Sequence, residues 1–110
     1  MGSRRAPRDR VLFFNLTKQP WESYYLGINY EGLIGTRTAA LIEPFATLDG
    51  VDATADLLDV TDTYQSGEYI YFRVIEKLDI IPGIYKIFVR TTLSDGDQLE
   101  DDAFLVVEDL

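Results

Sequence analysis

Apolar and polar residues alternate with a period of two along most of this chain, in short runs. Over residues 23–31, Tyr24, Leu26, Ile28 and Tyr30 fall on one side and Tyr25, Gly27, Asn29 and Glu31 on the other. That is the signature of a half-buried strand. The period returns over residues 69–76, where Ile70, Phe72 and Val74 oppose Tyr69, Tyr71 and Arg73. It returns again over residues 84–93, where Tyr85, Ile87 and Val89 oppose Lys86, Phe88 and Arg90. Residues 36–42 read as a further strand, which Glu43-Pro44 closes. Residues 11–16 form a run of apolar and aromatic types too short for a helix, broken before Pro20, and residues 103–107 supply a last strand.

Turn chemistry separates these runs. Gly32 and Gly35, Asp49-Gly50, Gln65-Ser66-Gly67, Pro82-Gly83 and Ser94-Asp95-Gly96-Asp97 each mark a reversal. The stretch 44–62 is ambiguous. Asp52, Asp56 and Asp59 have the spacing of one helical face, but Thr, Val and Asp are poor helix formers, so a loop with a short edge strand near 57–60 is the better reading. About seven short strands with a turn every ~8–12 residues predict an all-β sandwich or barrel. The predicted core is Leu26, Ile28, Ile70, Phe72, Val74, Tyr85, Ile87, Val89, Phe104 and Val106. Pro82 and Gly83 form a tight corner from which the Tyr85 ring can bury between sheets while its hydroxyl reaches back to the backbone.

Composition narrows the chemistry. The 110 residues, 46% of them hydrophobic, suffice for one domain with a real core. The chain has no Cys and no His. Disulfides, thiolate catalysis, Ser/His/Asp triads and His-built metal centres therefore cannot come from this chain alone. The sequence calls for no enzyme activity, no cofactor and no metal. No apolar stretch approaches the ~20 residues of a membrane span, and no export signal is read.

Charge is divided. Residues 1–10 hold Arg4, Arg5, Arg8 and Arg10 against Asp9, a net +3, whereas the other hundred hold six basic and eighteen acidic residues, a net −12. The expected organisation is a basic N-terminal arm over 1–10 and a sandwich over 11–110. The acidic body disfavours nucleic acid and membrane as partners. The arm suits an acidic protein neighbour, including the body of another copy. The acids around 95–102 and 49–59 are calcium-type oxygen donors, but neither run has the D-x-[DN]-x-[DN]-G spacing of a calcium loop. Solvated charge on exposed loops is the better reading of them.

Aromatic residues carry the remaining signal. Trp21, Tyr24, Tyr25, Tyr30, Tyr64, Tyr69 and Tyr71 are many for one small domain, and alternation turns Tyr69 and Tyr71 away from the core. Outward rings serve protein interfaces, carbohydrate platforms or plain cross-strand pairing. The candidate partner-binding residues are Arg4, Arg5, Arg8, Arg10, Trp21, Tyr69 and Tyr71. A carbohydrate site would use Tyr24, Tyr25, Tyr69 and Tyr71.

The last third of the chain, "LDIIPGIYKIFVRTTLSDGDQLEDDAFLVVED", resembles the C-terminal half of immunoglobulin-like domains of tailed-phage virion proteins. The matching residues are Pro82, Gly83, Tyr85, Ser94, Asp95, Gly96, Phe104 and Val106. The resemblance implies an immunoglobulin-like β-sandwich of about seven antiparallel strands. It implies a non-enzymatic virion structural protein, assembled in the host cytoplasm, in first place a capsid decoration or cement protein. Its partners would be the major capsid protein or other virion proteins, and further copies of itself. A neck, tail or baseplate component and a carbohydrate-binding module are the alternatives.

Overall fold

The structure, a computed structural model, describes residues 12–108. It is an all-β sandwich of two sheets. The strands are β1 (Leu12–Lys18), β2 (Tyr24–Asn29), β3 (Ala39–Leu48), β4 (Val51–Asp52), β5 (Leu58–Ser66), β6 (Tyr69–Val74), β7 (Gly83–Leu93) and β8 (Gln98–Val107). One short helix, α1 (Thr54–Leu57), precedes β5. The larger sheet runs β1-β8-β7-β3-β4 and the smaller β2-β6-β5. β1 lies parallel to β8 and every other pair is antiparallel.

The period of two explains the layers. Leu26 and Ile28 of β2, Ile70, Phe72 and Val74 of β6, and Tyr85, Ile87 and Val89 of β7 all point between the sheets and are buried. Burial of this kind stabilises by roughly 1.5–3 kcal/mol per large side chain. Tyr85 donates its hydroxyl proton to the Ile81 carbonyl at 2.6 Å, so the corner before β7 forms as the sequence predicts. The Asp49-Gly50 reversal has φ of +52° and +79°. Two consecutive positive φ values suit the two-residue hairpin joining β3 to β4.

Three sequence expectations are corrected. Phe104 and Val106 do not enter the core; Leu99, Ala103, Leu105 and Val107 do, and Phe104 is exposed. The hairpin register decides this: Tyr85 pairs with Leu105 and Ile87 with Ala103, and paired residues share a face. Pro44 does not end the third strand, because β3 continues to Leu48. The Ala46 amide and carbonyl bond outward, to the Thr54 hydroxyl and the Ala53 amide, away from β7. Two residues earlier Pro44 has the same orientation, so its missing donor falls on the open edge where proline is tolerated. The stretch read as loop plus short strand holds β4, α1 and a nine-residue β5.

Candidate functional site

The outer face of the three-stranded sheet is a grid set by register. Tyr25, Arg73 and Asp59 form one row; Gly27, Tyr71 and Tyr64 the next; Asn29, Tyr69 and Ser66 the third. Gly27 opens the middle row. A Cβ built there would lie 2.7 Å from Tyr71 Cε1, so the Tyr71 ring leans over the glycine. The Tyr64 ring stacks on Tyr71 at 4.7 Å between centroids and 14° between planes. That spacing is too short for two rings lying side by side in one plane, so each covers a face of the other. Tyr69 continues the stack at 6.1 Å from Tyr71. Tyr25 meets Tyr64 edge-on at 5.3 Å, and the Arg73 guanidinium lies 4.7 Å from the Tyr25 ring centre.

Polar groups fix this layer. The Tyr25 hydroxyl donates to Asp62 Oδ1 at 2.7 Å, and that hydrogen bond holds the Tyr25 pKa above the ordinary phenol value. Arg73 Nε donates to Ser23 Oγ at 3.1 Å. Asp59 accepts from both the Thr61 amide and the Thr61 hydroxyl, which keeps its carboxyl below the usual carboxylate range. The result is a hydrogen-bonded aromatic layer showing ring edges and phenol hydroxyls.

The candidate residues divide accordingly. Tyr69 and Tyr71 stand on this outer face, Tyr69 42% exposed. Trp21 is 63% exposed but lies before Tyr24, at the opposite end of the sheet from Tyr69. Arg4, Arg5, Arg8 and Arg10 lie outside the described residues. Tyr24 and Tyr30, counted among the surface aromatics, point inward; Tyr30 is fully buried and Tyr24 packs against the core. Burial, with the Glu22 carboxylate nearby, pushes the Tyr24 phenol up to about 12. Tyr24 therefore cannot serve the proposed carbohydrate set. The sequence does not mark Tyr64 and Arg73 as site residues, because only the register brings them beside Tyr71 and Tyr25.

The acidic runs do not converge. Asp95 and Asp97 both bind the Arg37 guanidinium, at 2.8 and 2.6 Å, and Glu100 pairs with Arg90 at 3.0 Å. Asp102 pairs with Lys86 at 3.5 Å. Among the described residues no cluster of three or more His, Cys, Asp or Glu has the arrangement to hold a metal ion. No helix among them is long and apolar enough to cross a membrane.

Against known proteins, no family model and no curated protein matches the chain. Among solved structures it is similar to the 2,6-sialyltransferase of the Vibrionaceae bacterium Photobacterium sp. JT-ISH-224, solved with CMP and lactose, at 14% identity and a TM-score of 0.45. The match takes in 92% of this chain and 19% of that one.

Proposed function

We propose that this chain is a non-enzymatic protein-binding module whose contact surface is the outer face of β2, β6 and β5. The observation that carries the reading is the Tyr64–Tyr71 stack. A carbohydrate platform needs open aromatic faces, and here the faces are turned on each other. Ring edges, hydroxyls and an arginine are the chemistry of protein interfaces, where Tyr and Arg are enriched.

The partner we propose is the shell of a tailed phage, with the chain as a decoration or cement protein; a neck, tail or baseplate position is the alternative in the same class. The resemblance of residues 78–109 to phage virion domains supports this. The strand order supports the immunoglobulin-like layout. In that layout B, E and D form one sheet and G, F and C the other. Here β2-β6-β5 and β8-β7-β3 take those places, with β4 added beside β3 and β1 beside β8.

Co-sedimentation with shells of the cognate phage tests the proposal. The Tyr64→Ala/Tyr71→Ala protein should attach at least about tenfold more weakly, the loss expected for two central interface aromatics. Full-strength attachment by that variant overturns the surface assignment. A glycan array on the intact protein tests the other class: a sugar bound by the intact protein and lost in the same variant would replace this reading with a carbohydrate-binding one.

A further inference from the structure

Twelve large apolar side chains are exposed among the described residues, and four of them, Leu41, Phe45, Val60 and Tyr64, border one side of the sandwich. There the edges of β3 and β5 face each other. Three adjoining grooves of about 370, 400 and 420 Å³ all share Val60 in their walls. The position of Val60 is built into the fold. It sits in a bulge between Asp59, paired with Arg73, and Thr63, paired with Phe72. Thr61 donates to Asp59 and Tyr25 to Asp62 within that bulge, so Val60 is held outward from both sides.

The charge of these grooves is one-sided. Among the described residues, Glu43, Asp52 and Asp59 line them and no Lys or Arg does. Asp52, like Asp59, is held ionised by hydrogen bonds from a neighbouring threonine, Thr54. The edges also resist simple strand addition. Pro44 interrupts the outward donors of β3, and the bulge interrupts β5. An occupant is therefore selected by its side chains, apolar in part and cationic.

This chain contains one such segment. Residues 1–11 carry Arg4, Arg5, Arg8 and Arg10 against Asp9, interleaved with Ala6, Pro7 and Val11, a net +3 facing three carboxylates. Pro7 has no amide proton and needs no ladder partner. We propose that the β3–β5 groove is the docking site for residues 1–11 of a second copy of this chain. The segment joins the fold at β1, the far edge of the five-stranded sheet, three strands from β3. Donor and acceptor therefore occupy opposite edges, and the contact is heterologous: it repeats head to tail into a ring or a chain of copies.

Two full-length variants and their mixture test this by sedimentation velocity at low salt. The first, R4Q/R5Q/R8Q/R10Q, keeps the groove and loses the cations. The second, Val60→Asp, keeps the leader and spoils the groove. Val60 is 45% exposed, so its replacement spares the core; Leu41→Glu is the substitute if circular dichroism shows Val60→Asp unfolded. The intact protein should self-associate with rising concentration and less so as salt screens the contact. Each variant alone should associate about tenfold more weakly or not at all. The mixture should form a one-to-one heterodimer, with one intact leader in one intact groove. An intact protein that stays monomeric, variants that associate like it, or a mixture that stays monomeric overturns the proposal. Because only this chain is present, the outcome does not depend on the shell reading.

Discussion

The two outer sheet faces both carry aromatic rings, yet they are built differently. On the five-stranded sheet, Phe45 meets Phe88 at 6.2 Å with planes tilted by 31°, and Arg90 lies 5.8 Å from the Phe88 ring centre. The neighbouring positions are ion pairs across β7 and β8, Lys86 with Asp102 and Arg90 with Glu100. On the three-stranded sheet the rings stack on one another, and Arg73 and Asp59 stand at one end of the face, beside Tyr25. Removing water from paired surface ions returns little, whereas tyrosine edges dehydrate cheaply and keep a hydroxyl for a partner. Exposed aromatic area alone therefore does not mark a contact surface; what surrounds the rings does.

Both faces rest on one core, and the largest expected effect comes from breaking it. Tyr85→Ala removes a buried ring and should lower stability by about 3–5 kcal/mol in denaturant unfolding. Tyr85→Phe removes only the hydroxyl that reaches Ile81 and should cost about 1 kcal/mol. If the two variants cost the same, the corner is not anchored by ring burial.

Gly27 comes next. A side chain there must displace the Tyr71 ring, because the Cβ would lie 2.7 Å from Cε1. Gly27→Val should cost about 1–2 kcal/mol and disturb the tyrosine signals in NMR spectra. It should leave those of Phe45 and Phe88 unchanged. Disturbance of both faces would mean that they are not independent.

The parts of this molecule that were legible in the sequence are those where local chemistry decides. The Tyr85 corner follows from Pro82-Gly83 and the terminal hairpin from Asp95-Gly96. The inward set of β7 follows from strict alternation. The phase of β8 is not legible locally, because Phe104 and Val106 on one face compete with Ala103, Leu105 and Val107 on the other. Yet Leu93 and Asp97 flank the turn, bonded through the Asp97 carbonyl, and counting back from that pair puts Leu105 opposite Tyr85. Whether Pro44 ends its strand depends on which edge its nitrogen faces, and the local sequence does not say that. Alternation does not mark Tyr64 as a site residue, because the bulge at 60–62 breaks the period of β5 and its partner Tyr71 is known only from register. Non-local pairing was the missing information in each case.

The stack itself is tested by coupling. A double-mutant cycle on Tyr64 and Tyr71 should give about 0.5–1.5 kcal/mol, the range for ring pairs in contact. The Phe45–Phe88 pair, wider and tilted, should give less. Equal couplings would remove the physical difference on which the choice of surface rests.

The smallest effect is expected from the ion pairs. Arg90 Nε lies 3.0 Å from Glu100 Oε2, and both side chains are partly exposed. A cycle through Arg90→Gln and Glu100→Gln should give about 0.5 kcal/mol, because water and salt screen the pair and ordering two long side chains offsets the attraction. The value should shrink as salt rises, while the Tyr64–Tyr71 coupling, which has no ionic part, should not move. If the Arg90–Glu100 coupling instead matched that of the tyrosines and resisted salt, the five-stranded face would be the drier and more rigid of the two. The contact surface would then be better sought on Phe45, Phe88 and Phe104.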